Sequence, residues 1–299
     1  MSKNKFPKIV VILGPTATGK SDLAVYIAKK FKGEVISADS RQVYEGMDIG
    51  SGKITKKEME NIPHHLLDII DPKKVYNAEQ FKRDGTKAIQ DILDHKKLPI
   101  ICGGTGFYID ALVFDEQFPD VPPNKKLRKE LEKKSVESLM KEIRKLDPVR
   151  AKALDPYNKV RIIRAIEIAR VLGKVPKVKR TKQYEALFIG LTLDRSKLRE
   201  RIHARLEKRM KAGMIREISN LHKNGVSWKR LYDFGLEYRY VSLYLQKKLS
   251  KEEMLTKLEQ EICQFSKRQM QWFKRNKNIK WFAPFAYIAV EKIVKKFLK

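Results

Sequence analysis

Along the first 115 residues, short runs of consecutive apolar residues alternate with stretches in which apolar residues recur every three or four positions. The apolar runs Ile9–Leu13, Val35–Ser37 and Leu98–Cys102 have the length and composition of strands that are covered on both faces. Helical spacing lies between them, in residues 23–31 and 78–93. This alternation predicts an α/β fold, with a parallel sheet and helices on its faces.

The pattern changes near Pro119, where prolines interrupt the chain. Helical spacing returns around residues 127–143 and 160–169, with no convincing strand between them. The next apolar run, Ala186–Leu193, can rejoin the sheet. We therefore predict a helical insertion at residues 119–184.

The remainder of the chain is mostly helical by the same criterion. Predicted helices span residues 196–222, 236–246 and 251–273, followed by a short strand near Trp281 and a last helix. We predict that residues 1–118 and 185–299 together form one catalytic core around the insertion.

Charge is distributed unevenly along the 299 residues. The chain has 65 Lys and Arg against 36 Asp and Glu, a net charge of +29. Residues 1–115 carry 18 basic and 15 acidic side chains, whereas residues 116–299 carry 47 and 21, a net of +26. The predicted insertion alone has 20 basic and 8 acidic residues. A positive excess confined to one part of the chain favours a polyanionic partner over a merely solvated lysine-rich surface.

Two features of the composition narrow the class of protein further. No segment approaches 18 consecutive apolar residues, so we predict no membrane span. Two cysteines are too few for a disulfide framework. We expect a soluble, cytoplasmic protein that acts as a monomer.

A phosphate-loop motif occupies residues 14–21. It matches G-x-x-x-x-G-K-[ST] at every fixed position, after a predicted strand and before a predicted helix. The predicted phosphate-binding residues are Gly14, Pro15, Thr16, Ala17, Thr18, Gly19, Lys20 and Ser21. Such a loop turns its backbone N–H groups inward, Lys20 contacts phosphate oxygens and the Ser21 hydroxyl binds Mg²⁺. A glycine-rich turn without a ligand would leave Lys20 and Ser21 unexplained.

A second polar segment, Ser37–Tyr44, follows the second predicted strand. Ligands of open α/β sheets bind at this edge, so the segment is expected beside the phosphate loop. Asp39 is compatible with three roles there: an acid of a magnesium shell, a general base or a helix N-cap. Gln42 has the side chain that pairs with the N6/N7 edge of adenine, but it is also a common polar turn residue.

Six segments, in the same order along the chain, resemble those of the bacterial tRNA dimethylallyltransferases. They are Gly14–Ser21, Asp39–Gly50, Pro63–Asp68, Gly103–Tyr108, Arg161–Glu167 and Lys267–Gln269. The resemblance implies a P-loop NTPase-like core with a helical insertion that grips the anticodon arm of tRNA. It also implies a reaction: transfer of a dimethylallyl group from dimethylallyl diphosphate to N6 of adenosine 37, with Mg²⁺ as cofactor.

The resemblance also implies roles for individual residues. The phosphate loop would hold the diphosphate of dimethylallyl diphosphate, Thr16 would contact the departing diphosphate, and Asp39 would accept the N6 proton. The implied tRNA-binding residues are Asp39, Ser40, Arg41, Gln42, Thr105, Arg128, Val160, Arg161, Ile162, Ile163 and Arg164. Val160 stands where the family often has glutamine. Residues 234–239 align only loosely with a family Gly-Tyr-(Lys/Arg) motif, so the sequence assigns no diphosphate-binding arginine.

Three other functions compete with this hypothesis. A P-loop nucleoside or nucleotide kinase explains the phosphate loop and Asp39 but not the basic second part of the chain. An NTP-dependent RNA-binding protein explains the charge but gives no role to residues 39–42. A transferase that prenylates free adenine nucleotides has little use for a basic insertion.

Overall fold

The protein is described from a computed structural model that covers residues 6–299. Within that range, six parallel strands form one sheet in the order β3-β2-β4-β1-β5-β6. The strands are β1 (Lys8–Leu13), β2 (Gly33–Ser37), β3 (His64–His65), β4 (Leu98–Gly103), β5 (Glu185–Leu191) and β6 (Lys280–Phe282). The predicted α/β class with a parallel sheet is therefore confirmed.

The central strands end level with one another, which determines where a ligand can bind. Leu13 at the end of β1 is paired in register with Gly103 of β4 and Gly190 of β5. From β1 the chain continues towards β2 on one side of the sheet, and from β4 it continues towards β5 on the other. The carboxyl ends of β1 and β4 therefore flank a topological switch point, where open α/β sheets bind their ligands.

The core is rich in helices, most of which bury apolar residues. Those of the core are α1 (Lys20–Phe31), α2 (Lys56–Met59), α3 (Ala78–Asp94), α4 (Gly106–Val113), α9 (Arg195–Lys211), α10 (Met214–Lys223), α11 (Trp228–Phe234), α12 (Leu236–Leu245), α13 (Lys251–Phe273) and α14 (Tyr287–Leu298). Val10 and Ile12 of β1 share one buried cluster with Leu23 of α1 and Val290 of α14. In the described part of the chain, no helix is both long enough and apolar enough to cross a bilayer.

The chain divides into two compact units. One comprises the chain up to Asp115 together with Lys182–Lys299, and the other is Glu116–Thr181. The second unit contains α5 (Lys125–Glu132), α6 (Val136–Leu146), α7 (Pro148–Ala153) and α8 (Lys159–Leu172). Its buried apolar cluster is built by residues such as Leu131, Leu139, Ile143 and Ile166. A separate core of this kind is what a helical insertion needs in order to hold its own structure.

Two predicted helices are each divided in the structure. The helix expected over residues 196–222 is wrong as a single element, because Gly213 adopts φ 99° and separates α9 from α10. The helical stretch around 127–143 is likewise two helices. Ser135 ends the connection between them, since its hydroxyl accepts the backbone N–H of Ser138 and so caps α6.

Candidate active site

The phosphate loop leaves β1 in a backbone conformation that requires glycine. Gly14 has φ 144°, and a Cβ atom there would lie 2.4 Å from the carbonyl oxygen of Leu191 in β5. Gly19 adopts a left-handed conformation with φ 84°, immediately before α1 begins at Lys20. Two glycines thus let the chain turn sharply from the end of a buried strand into a helix, and the N-terminus of α1 faces the loop.

Two side chains of the phosphate loop donate hydrogen bonds to one of its own carbonyl groups. The Thr18 hydroxyl and the Lys20 ammonium both donate to the Pro15 carbonyl oxygen, at 2.8 and 2.6 Å. Burial, with a smaller contribution from the neighbouring Arg205, lowers the pKa of Lys20 to about 8. A negatively charged group in the loop would stabilise the ammonium form of this buried lysine, so the loop favours an anion.

Asp39 lies at the exit of β2 and organises the turn that follows. Its Oδ1 atom accepts the backbone N–H groups of Arg41 at 2.8 Å and Gln42 at 3.4 Å. No helix begins there, so Asp39 caps a turn and not a helix. Among the described residues, no hydrogen bond involves Oδ2, which leaves one carboxylate oxygen available for chemistry.

The side chains that follow Asp39 are held by neighbouring elements. Gln42 accepts the Ser37 hydroxyl at 3.0 Å and donates to the carbonyl oxygen of Gly52 at 3.3 Å. Arg41 donates to the Phe234 carbonyl oxygen at 2.8 Å, and burial lowers the pKa of its guanidinium. Both side chains thus use their polar groups to fix the segment.

Hydrogen bonds join the loop that follows β4 to the segment after β2 and, through Gln269, to the phosphate loop. The Thr105 hydroxyl accepts the backbone N–H of Ser40 at 3.1 Å. Gln269, buried on α13, accepts the Thr16 N–H at 3.0 Å and donates to the Gly104 carbonyl oxygen at 2.9 Å. One amide side chain therefore ties the phosphate loop to the β4 loop.

These segments surround a cavity of about 400 Å³. Among the predicted site residues, Thr16, Ala17, Thr18, Gly19, Lys20, Ser21, Asp39 and Gln42 line it. Further lining residues are Asp22, Ser51, Gly52, Ile54, Glu58, Cys102, Gly103, Gly104, Arg201, Arg205, Phe265, Gln269 and Phe285. Gly14, Pro15, Ser40, Arg41 and Thr105 support the lining segments without lining the cavity. The structure thus brings the phosphate loop and Asp39 to one site.

Two arginines of α9 belong to this cavity, and the sequence prediction missed them. Arg205 donates to the Thr16 hydroxyl and to the Gly52 carbonyl oxygen, both at 3.2 Å, and burial lowers the pKa of its guanidinium. Arg201 lies over the Phe285 ring, with its guanidinium carbon 5.1 Å from the centroid. The available signal was the four-residue spacing of Arg201, Arg205 and Arg209, which places three arginines along one side of the helix.

The remaining predicted residues lie in the second unit. Arg128 and Arg164 both bind the carboxylate of Glu167, whose side chain is 1% exposed. Arg161 and Val160 are exposed at the start of α8. Ile162 and Ile163 are buried in the unit's own apolar cluster.

The side chains of Ile162 and Ile163, which were predicted as part of a tRNA-binding segment, therefore lie in the core of the insertion, and a contact of this segment with tRNA stays a prediction. Successive residues of a helix point in different directions, so the segment that begins at Val160 presents only some of its side chains to solvent. The two isoleucines stabilise the insertion, whereas Val160 and Arg161 remain accessible.

A six-stranded parallel sheet with a phosphate loop at its switch point defines an α/β protein of the P-loop class. Residues 42–276 match the model of the family described as IPP transferase. The chain is 46% identical over 272 residues to tRNA dimethylallyltransferase 2 of Treponema denticola, covering 89% of this chain and 91% of the relative. The chain belongs to the IPP transferase family, which includes the tRNA dimethylallyltransferases, and it is a transferase.

Solved structures of similar proteins share the fold. The full-length tRNA isopentenylpyrophosphate transferase of Bacillus halodurans superposes with a TM-score of 0.75 at 34% identity, covering 97% of this chain and 96% of that one. A eukaryotic dimethylallyltransferase acting on tRNA superposes with a TM-score of 0.83 at 26% identity, covering 98% of this chain and 79% of that one. The sequence-based prediction of the P-loop NTPase-like fold and of the family is confirmed.

Proposed function

We propose that the cavity transfers a dimethylallyl group from dimethylallyl diphosphate to N6 of adenosine 37 in the anticodon loop of tRNA. One observation carries this proposal: the phosphate loop and the carboxylate of Asp39 line the same cavity. A prenyl transfer to an amine needs a binding site for the leaving diphosphate and a group that accepts a proton. The cavity of this chain provides both.

The phosphate loop and α9 provide the groups that bind the leaving diphosphate. Lys20, the backbone N–H groups of the loop and the guanidinium of Arg205 are donors on the same side of the cavity. As the bond from carbon to the diphosphate oxygen breaks, negative charge grows on the leaving group. Donors that are already oriented stabilise that charge without reorganising during the reaction. Thr16 assists from the loop, with its hydroxyl held by Arg205.

Asp39 is the base that accepts the N6 proton of the adenine acceptor. The exocyclic N6 of adenine is a weak nucleophile because its lone pair is delocalised into the ring. A carboxylate that takes the N6 proton as the new C–N bond forms raises the rate of transfer. The turn held by Asp39 Oδ1 fixes this carboxylate at the edge of the sheet.

A magnesium ion fits the oxygen donors of the site. Mg²⁺ prefers oxygen ligands and often combines one or two protein groups with phosphate oxygens. The Ser21 hydroxyl lines the cavity at the start of α1, on the side of the phosphate loop. We assign Ser21 as the protein ligand of the metal, which when bound would neutralise charge on the diphosphate.

The tRNA end of the proposal uses the basic insertion together with residues 39–42 and Thr105. Adenosine 37 has to leave the stack of the anticodon loop to reach the cavity, and unstacking costs on the order of a few kcal/mol. Phosphate contacts from exposed cations such as Arg161 offset that cost. Arg128 and Arg164 both bind the carboxylate of Glu167, and their side chains stay 37% and 33% exposed, so each also has cationic surface for contact with RNA phosphate.

The direct test separates this function from its alternatives. Purified protein is incubated with dimethylallyl diphosphate or ATP as donor and with an anticodon stem-loop, a nucleoside or AMP as acceptor, and released diphosphate, ADP and the modified acceptor are measured. We expect diphosphate only with the prenyl donor, and only when the stem-loop is present. Phosphate transfer from ATP to a nucleoside would favour a kinase. Prenylation of free AMP in place of the stem-loop would favour the nucleotide-specific transferase.

The affinity for tRNA should fall steeply with salt. Because cations of the insertion displace counterions from the RNA, we expect the affinity to drop by about tenfold or more between roughly 50 and 200 mM salt. Replacing the exposed Arg161 by glutamine should reduce the slope of log affinity against log salt by about one. The matched control is Lys295→Gln, an exposed charge on α14, which should leave the slope unchanged. A response to salt that is flat in the unaltered protein would contradict a polyanion-binding role.

A further inference from the structure

A short loop between β2 and α2 forms one wall of the cavity. This cavity loop, Asp48–Gly52, places Ser51 and Gly52 at the lining. A Cβ atom at Gly52 would lie 2.0 Å from the guanidinium of Arg205, so the arginine packs directly against the loop backbone. The position of the loop and the position of that guanidinium therefore depend on each other.

One carboxylate on α10 holds the amino-terminal half of the loop. Glu217 accepts the backbone N–H groups of Asp48, Ile49 and Gly50, at 3.1, 2.6 and 3.0 Å. It also accepts the Tyr238 hydroxyl at 3.2 Å. Three consecutive N–H groups that point at one anion form a backbone nest, and here the anion is a side chain of the protein itself.

The carbonyl groups of the same loop are bound by arginines of α9. Arg209 donates to the Gly50 carbonyl oxygen at 2.9 Å, and Arg205 donates to the Gly52 carbonyl oxygen at 3.2 Å. Arg205 uses its other terminal nitrogen to reach the Thr16 hydroxyl of the phosphate loop. The loop is thus fixed on its N–H side by a carboxylate and on its C=O side by two guanidinium groups.

We propose that Glu217 is a positioning residue for the diphosphate site. By holding the cavity loop, it fixes the Gly52 carbonyl oxygen, and that oxygen fixes the guanidinium of Arg205 beside the phosphate loop. Glu217 does not line the cavity, so it acts only through this chain of contacts. The proposal rests on the proposed function, in which Arg205 meets the diphosphate.

The variant that tests this is Glu217→Gln. Glutamine keeps the size of the side chain but turns one acceptor into a donor, which then faces a backbone N–H group of the nest. The matched control is Glu200→Gln, which makes the same change at an exposed position of α9. Tyr238→Phe removes only the hydroxyl that binds Glu217, and it provides a milder second variant.

We expect Glu217→Gln to raise the Kd for inorganic diphosphate and the KM for dimethylallyl diphosphate by about tenfold, with kcat changed by less than about threefold. Hydrogen exchange of the amides at residues 48–50 should become faster in the same variant, while its melting temperature and tRNA affinity stay near those of the unaltered protein. Glu200→Gln should change none of these quantities. Tyr238→Phe should move the diphosphate Kd in the same direction by a smaller factor.

A folded Glu217→Gln variant with an unchanged Kd for diphosphate would overturn the proposal. If that variant does not fold, an unchanged Kd in Tyr238→Phe would overturn it instead. Failure of the unaltered protein to bind diphosphate would contradict the proposed function, and the exchange of amides 48–50 would still show whether Glu217 holds the loop.

Discussion

Replacing Asp39 by asparagine should lower the rate of dimethylallyl transfer by roughly 10²- to 10⁴-fold while leaving tRNA binding intact. Asparagine retains an oxygen that can accept the N–H groups of Arg41 and Gln42, so the turn at the end of β2 should persist. What is lost is the basicity needed to take the N6 proton. The measurement is a single-turnover rate with labelled dimethylallyl diphosphate and an anticodon stem-loop, alongside the Kd for that stem-loop.

Asp71 supplies a matched control for this substitution. Its Oδ1 atom also accepts a backbone N–H two residues later, that of Lys73 at 2.7 Å, but it does not line the cavity. Asp71→Asn should therefore leave the transfer rate unchanged. An Asp39→Asn variant with full turnover would remove Asp39 from the mechanism.

Replacing Lys20 by alanine should lower kcat/KM for dimethylallyl diphosphate by about 10²- to 10³-fold. The Lys20 ammonium is a donor at the base of the phosphate loop, and its positive charge stabilises the negative charge of the leaving diphosphate. Lys30→Ala, at an exposed position of the same helix, is the control and should have little effect. Equal losses in the two variants would show that general charge, and not the position of Lys20, determines the rate.

The pH dependence of binding tests the same role by a different route. The pKa of Lys20 is about 8, so the lysine is charged below that pH and loses its proton above it. We expect diphosphate to bind the charged form and to raise the pKa of Lys20 in the complex. We therefore expect the affinity for diphosphate to fall by up to about tenfold per pH unit above pH 8, as loss of one proton requires. In Lys20→Ala this fall should be absent, and its persistence there would point to another group.

The elements that sequence alone predicted are those with strong local signals. The run Ile9–Leu13 is apolar on both faces because the strand lies at the centre of the sheet, and the phosphate-loop pattern fixes the turn that follows it. The break at Gly213 was missed because the apolar spacing continues across it. A glycine within a periodic segment does not by itself reveal whether the chain bends there.

The parts of the site that sequence could not predict depend on contacts between distant segments. Arg205 reaches Thr16 across 189 positions, and Gln269 reaches it across 253. Neither pairing has a local pattern, because both arise only when α9 and α13 pack beside the phosphate loop. For Ile162 and Ile163, the sequence motif was recognised but the direction of the side chains was not. Their motif marks a helix, but only the packed insertion shows that these two side chains face its core.

In the function proposed for it, the cavity joins an isoprenoid carbon to a purine amine and releases diphosphate. The most direct measurement is mass spectrometry of nucleotides from a stem-loop treated with the protein and dimethylallyl diphosphate, with a second stem-loop that has guanosine at position 37. We expect the mass of one C5H8 unit on adenosine 37 of the first RNA and none on the second. An unmodified adenosine 37, or equal labelling of adenosines elsewhere in the loop, would contradict it.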